Sequence, residues 1–216
     1  MAKILSGKIV SARVKDELKK EVEELSQRGK QTGLAVVLVG DDSASKVYVR
    51  NKEKACEEVG IYSEVHRLSA NTSEEELLKL INELNENDKI DGILVQLPLP
   101  KHLDDKVIID NIKPEKDVDA FHPSNVGKIM IGDYDFLPCT PAGIMELIHE
   151  SGVEVDGKTC VVIGRSNIVG KPMSMLLLHE NGTVTTCHSH TKNLAEVTKS
   201  ADILVAAVGI PKFVKA

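Results

Sequence analysis

Tyr48 and Lys52 lie four residues apart in a segment with helical apolar spacing, so they share one face and can converge on a ligand. A ring beside an amine can stack on a flat substrate and handle a proton; the same pair also reads as an ordinary surface Tyr and Lys. Gln96 closes the apolar run Gly92-Ile93-Leu94-Val95 just before Leu97-Pro98-Leu99-Pro100. That is the carboxyl edge where open α/β sheets bind ligands, and packing alone does not account for an amide there. Asp117-Val118-Asp119 follows Pro114-Glu115-Lys116 and reads either as a solvated acidic turn or as carboxylates set to hold a ligand.

The segment Val161-Val162-Ile163-Gly164-Arg165-Ser166-Asn167-Ile168-Val169-Gly170-Lys171-Pro172 carries a second kind of chemistry. A turn from strand to helix aims backbone N–H groups and the positive helix end at an anion, which suits a pyrophosphate. Gly164 and Gly170 are six apart, with Ser166 where the second glycine of GxGxxG would stand, so the loop is a residue longer and offers a hydroxyl. A glycine pair alone is equally a tight turn; the strands and helices around it favour the nucleotide. A fold selecting NAD places a carboxylate at the end of the next strand, on the ribose hydroxyls. Here that position reads Cys187-His188-Ser189-His190-Thr191, with no carboxylate. Ser189 can hydrogen-bond a phosphate and Arg165 can supply a guanidinium fork, so NADP is expected rather than NAD. His188 and His190 lack Cys or carboxylate partners at ligand spacing, so no metal is expected.

The elements that must position these residues follow from periodicity. Val10, Val14, Leu18, Val22 and Leu25 predict a helix ended by Gly29. Leu34 to Val39 predicts a buried parallel strand, then a helix from about Ser43 to Val59 and a strand from Tyr62 to Leu68. Thr72-Ser73-Glu74-Glu75 reads as a capping box before a helix carrying Leu77, Leu80, Ile81 and Leu84, and Asp91 to Gln96 predicts a third strand. The pattern weakens from Asp104 to Asp135, apart from a short helix near Val107 to Asn111, and the domain boundary is placed there. Thr140-Pro141 reads as an N-cap with Pro at the first helical position. Strands at Thr159 to Ile163, Thr183 to Cys187 and Ile203 to Val208, with intervening helices, make a βαβαβ unit. The expected fold class is α/β with two domains, residues 1–138 and 139–216, each built on a parallel sheet.

Composition narrows the function classes. The chain has 216 residues, 42% hydrophobic and 28% charged, with 27 basic against 33 acidic side chains and a formal charge of −6. This is a globular composition without the electrostatic footprint of a nucleic-acid binder. Aromatic residues are 3%, too few for a base-stacking platform. Cys56, Cys139, Cys160 and Cys187 form no CxxC pair and read as reduced core thiols. The start, Met1-Ala2-Lys3-Ile4-Leu5-Ser6-Gly7-Lys8, lacks the apolar stretch of a signal peptide, so a cytoplasmic protein with no membrane partner is expected.

Taken together, Tyr48-Val49-Arg50-Asn51-Lys52, Gly92 to Pro100, Lys116-Asp117-Val118-Asp119, Pro138-Cys139-Thr140-Pro141, and Gly164-Arg165-Ser166 with Val169-Gly170-Lys171-Pro172 resemble one family. It is the bifunctional methylenetetrahydrofolate dehydrogenase/methenyltetrahydrofolate cyclohydrolase (FolD-type) family, and the resemblance runs along nearly the whole chain. It implies an N-terminal α/β folate-binding catalytic domain, a C-terminal Rossmann-like NADP-binding domain, and a cleft between them. It further implies that Tyr48 stacks on the folate, that Lys52 is the catalytic lysine with Gln96 as its partner, and that Asp119 holds the pterin. Gly164, Arg165, Ser166 and Ser189 are implied as the nucleotide contacts, tetrahydrofolate derivatives as substrates, and a homodimer as the assembly.

The implied chemistry suits these residue types. Hydride leaves the one-carbon bridge of 5,10-methylenetetrahydrofolate for NADP⁺, and the flanking nitrogens stabilise the cation without a metal. Water then attacks the amidinium-like carbon, and ring opening gives 10-formyltetrahydrofolate. A lysine made less basic by desolvation and by the substrate cation could take a proton from that water, with Gln96 orienting it. Two departures stand out. Ala120 follows Asp119 where the family commonly has Gly. The sequence stops at Phe213-Val214-Lys215-Ala216, where the family continues with a strand, a glycine- and proline-rich loop and a helix. Two other readings stay open: a two-domain NADP dehydrogenase of the shikimate or amino-acid type, and a non-catalytic NADP-binding module. A Tyr-x-x-x-Lys pair also occurs in short-chain dehydrogenases, but there it follows the nucleotide loop, whereas here it precedes it.

Overall fold

The computed structural model describes residues 3–215; Met1, Ala2 and Ala216, which the two expected domains include at their ends, lie outside them. The chain forms two compact units, one of Gly7–Pro123 and one in which the residues from Ser124 onward are joined by the short segment 3–6.

The first unit begins with α1 (Gly7–Gln27), then β1 (Gly33–Val39), α2 (Ser43–Val59), β2 (Tyr62–Leu68), α3 (Glu74–Glu86) and β3 (Gly92–Val95). All three strands are parallel, in the order β2-β1-β3, with Val36 opposite both Val65 and Leu94. Alternation splits β1 between two cores. Ala35, Val37 and Val39 pack with Leu77, Ile81 and Leu84 of α3, whereas Val36 and Leu38 pack with Val49 of α2. Both faces are therefore covered, which is why β1 is apolar at every position. Gly60 ends α2 in the left-handed conformation at φ 88°, its N–H donating to Cys56 O. The capping box falls one residue later than expected. Ser73 caps α3 and Glu76 returns the bond, because that register turns Leu77, Ile81 and Leu84 inward. After β3, the peptide between Leu97 and Pro98 is cis, and α4 (Asp105–Asp110) and a 3₁₀ turn at Pro114–Lys116 follow. An isolated parallel bridge joins Asp117 to Ile93.

The segment in which the sequence pattern weakens holds a helix, α5 (Pro123–Ile131), that periodicity did not reveal. Its end packs with the second unit: Ile129 O lies 2.7 Å from His179 Nε2, and the rings of Tyr134 and His179 are 6.2 Å apart. α5 from Ser124 onward thus belongs to the same unit as α6 and the strands that follow it.

The second unit continues with α6 (Cys139–Ser151), β4 (Thr159–Ile163), α7 (Gly170–His179), β5 (Thr183–Cys187), α8 (Leu194–Lys199) and β6 (Ile203–Ala206). Its strands are parallel in the order β5-β4-β6, so β4 is central and successive strands are added on opposite sides of it. Cys160 and Val162 face α7 through Met173, Leu176 and Leu177, while Val161 and Ile163 face Leu194 and Val197 of α8. The start of α6 differs from expectation. Pro138 occupies the cap, Cys139 opens the helix and Pro141 sits in the first turn, where its missing N–H costs no helical bond. Of the four thiols, Cys56, Cys160 and Cys187 are buried, but Cys139 is exposed at that helix end rather than in a core. Among the described residues, no helix is long and apolar enough to cross a membrane.

Candidate active site

The site in the first unit is assembled by α2, the end of β3 and the turn after the 3₁₀ segment. Ser45, Val49, Cys56 and Val59 form the buried face of α2. Lys52 falls at the edge of that face and is half-buried, while Tyr48, one turn earlier, stands 62% exposed. Lys52 Nζ donates to Gln96 Oε1 at 2.9 Å. Gln96 is fixed twice more: its backbone N–H donates to Val37 O at 2.9 Å, and its Nε2 donates to Leu97 O at 2.7 Å. The second of these bonds occupies the amide N–H and leaves the carbonyl facing the lysine.

Asp117 and Asp119 divide their roles. Asp117 is buried, its Oδ2 accepts from His122 N at 2.8 Å, and its backbone oxygen accepts from Ala120 N at 3.1 Å. It shapes the turn rather than facing solvent, so the solvated acidic turn is not what forms. Sequence reading missed this positioning role, although an Asp whose side chain bonds nearby backbone is a recognisable turn signal. Asp119 is half-buried, and burial pushes its carboxyl up from 3.8 to about 6, with Lys52 opposing and Asp117 adding to the rise. Lys52, Gln96 and Asp119 thus form one neighbourhood, and Tyr48 presents an open ring beside them on α2. Ala120 holds a left-handed φ of 55° although it carries a side chain, which places backbone strain directly after Asp119.

In the second unit, the nucleotide candidates meet at the carboxyl end of β4. Ile163 pairs with Cys187, and Gly164 N donates to Cys187 O at 2.8 Å, so the loop after β4 lies beside the turn after β5. Because β4 lies between β5 and β6, this is the point of reversal where open α/β sheets take ligands. Gly164 has φ 130°, and a Cβ there would meet Ala207 O at 2.5 Å; one on Gly170 would meet Gly164 O at 2.2 Å. Both glycines are therefore needed to draw the loop down onto the sheet and start α7 against it. Ser166 Oγ accepts from Val169 N at 3.2 Å and Gly170 N at 3.3 Å, capping the helix while its own proton stays available. Sequence reading anticipated only the donor role. Arg165, Ser166 and Ser189 are exposed at this edge, and together with the glycine cradle they fit an NADP phosphate and ribose.

Comparison with known proteins agrees along the chain. A family model for the tetrahydrofolate dehydrogenase/cyclohydrolase catalytic domain matches residues 5–119, and one for its NAD(P)-binding domain matches residues 138–216. The bifunctional protein FolD of Acetivibrio thermocellus is 63% identical over 214 residues, covering 99% of this chain and 75% of that one. A crystal structure of the bifunctional enzyme FolD from Campylobacter jejuni superposes with a TM-score of 0.95 at 47% identity, over 99% of this chain and 76% of that one. The FolD of Trypanosoma brucei, solved with NADP cofactor and an inhibitor, gives 0.93 at 39% identity, over 97% and 73%. Matched in both halves and in overall backbone, the chain belongs to the tetrahydrofolate dehydrogenase/cyclohydrolase family of FolD-type bifunctional enzymes.

Proposed function

We propose that the chain oxidises 5,10-methylenetetrahydrofolate with NADP⁺ to 5,10-methenyltetrahydrofolate and NADPH, then hydrolyses the methenyl cation to 10-formyltetrahydrofolate and a proton. The single observation that carries this reading is the oriented pair of Lys52 and Gln96 with Asp119 beside it. NADP⁺, when bound, supplies the hydride acceptor; Gly164, Arg165, Ser166 and Ser189 hold it. Asp119 as a carboxylate accepts the paired N–H donors of the pterin, which fixes the one-carbon bridge. Tyr48 stacks on the folate ring system. Gln96 sets the direction of the Lys52 amine, so that it faces the water attacking the bridge carbon and removes a proton as the ring opens.

The functional division we propose is folate binding and hydrolysis in residues 1–138 and NADP binding in residues 139–216, with a homodimer in the cytoplasm as the working form. Lys52→Met separates the two activities. Cyclohydrolase activity is expected to fall by about a hundredfold or more, the usual scale of a lost general base, and dehydrogenase activity by much less. Equal loss of both would contradict the division of labour.

A further inference from the structure

We propose that Lys116 is a positioning residue for the folate: by tying the 3₁₀ turn to the end of α3 it sets the reach of Asp119, and it acts on the substrate only through that carboxylate. The inference rests on the reading of Asp119 as the group that holds the pterin. Lys116 is half-buried, and its Nζ donates to Asn87 O at 2.9 Å and to Leu84 O at 3.2 Å. These carbonyls stand at the C-terminal end of α3, where helical partners run out and the negative end of the dipole lies. α3 has no basic side chain in its own last turn, so a cation from far along the chain supplies that charge.

The same helix end grips the entry to the turn. Asn85, buried in the last turn of α3, donates through Nδ2 to Asn111 O at 2.8 Å and accepts at Oδ1 from Lys113 N at 3.0 Å. Lys113 O then accepts from Lys116 N at 2.8 Å and from Asp117 N at 3.1 Å. Beyond Lys116 the segment is held by the sheet instead. Val118 packs against Val36, Leu38, Val49 and Leu94, and Gly92 makes the room, since a Cβ there would meet Val118 Cγ1 at 2.5 Å. Asp119 follows directly and is the side chain turned toward Lys52. The left-handed φ of 55° at Ala120 means that the turn is not in the conformation its residues prefer locally. Anchors on either side hold it there: Lys116 before it, and the bond from His122 N to Asp117 Oδ2 after it. Releasing the Lys116 anchor lets the turn relax, and Asp119 lies between the two anchors. A misplacement on the order of 1 Å is enough to cost a binding group much of its effect.

The test combines calorimetric binding of tetrahydrofolate, under anaerobic conditions, with steady-state kinetics on the full chain and its variants. Lys116→Met keeps the aliphatic stem and loses the charge. It is expected to raise the tetrahydrofolate Kd and the KM for 5,10-methylenetetrahydrofolate about tenfold, the scale of one hydrogen bond to a charged group. The kcat at saturating folate and the KM for NADP⁺ should stay within about twofold of the parent. Lys116→Arg, which keeps a cation able to donate to both carbonyls, should restore folate binding. In an Asp119→Asn background, Lys116→Met should weaken folate binding no further, because the two changes act through one group. An equal loss in that background, or folate binding unmoved by Lys116→Met in the parent, would overturn the proposal. If Lys116→Met does not fold, Lys116→Gln, which keeps a donor without the charge, takes its place in the same comparison; loss of folding in both would make Lys116 a purely structural residue and also overturn the proposal. Folate binding unmoved by Asp119→Asn alone would instead overturn the reading of Asp119, and the proposal with it.

Discussion

Asp119→Asn is expected to stabilise the folded chain while weakening its hold on folate. Burial lifts this carboxyl from 3.8 to about 6, so ionising it in the folded state costs more than in the unfolded chain. At about 1.4 kcal/mol per pH unit, the difference is on the order of 3 kcal/mol. The sign follows from linkage. The folded chain binds this proton more tightly, so its contribution to stability is full below the unfolded value near 3.8 and is lost as pH rises through about 6. Asparagine carries no such penalty, but its substitution also removes the anion facing Lys52, which leaves a gain of about 1–3 kcal/mol at pH 8. Urea unfolding of both chains at pH 8 and pH 4 measures it, because the other carboxylates cancel in the difference. The variant should be the more stable at pH 8 and indistinguishable at pH 4, while its KM for the folate substrate rises about tenfold or more. A variant less stable than the parent at pH 8, or a difference independent of pH, would refute the electrostatic reasoning.

The nucleotide loop gives two further expectations. Gly170→Ala would ordinarily favour a helix by about 1 kcal/mol, but its Cβ would meet Gly164 O at 2.2 Å. The substitution should instead destabilise by about 1–3 kcal/mol and weaken NADP⁺ binding at least tenfold, as read by thermal shift and calorimetry; a more stable chain would contradict the packing argument. Ser166→Ala removes the acceptor for two backbone N–H groups at the start of α7 and should cost about 1 kcal/mol in unfolding experiments.

Much of this architecture could be read from the chain because burial on both faces writes itself into sequence. The runs that became β1 and β4 are short, apolar and buried, the edge strand β5 is legible instead from its β-branched residues, and α2 and β2 have the bounds expected for them, Ser43–Val59 and Tyr62–Leu68. What escaped was set by tertiary contact. α5 contains Gly127 and opens on Pro123-Ser124-Asn125, weak helix formers whose helicity is supported by packing against the segment around His179. Thr72/Glu75 and Ser73/Glu76 satisfy the same capping pattern, and only the buried face of α3 chooses between them. At the candidate site, the residue types and their order were legible, including the departure at Ala120 that proves to have a left-handed φ. The 2.9 Å bond between Lys52 and Gln96, the turn-building role of Asp117 and the raised Asp119 were not, since each depends on elements brought together across the fold.

The most direct test of the account is NADPH formation by this chain from 5,10-methylenetetrahydrofolate and NADP⁺, followed at 340 nm beside NAD⁺ and folate-free controls. Folate-dependent NADPH production, faster than the NAD⁺ reaction and followed by 10-formyltetrahydrofolate, is the predicted result. NADPH formed without folate, or no turnover from a folded chain that binds both substrates, would contradict it.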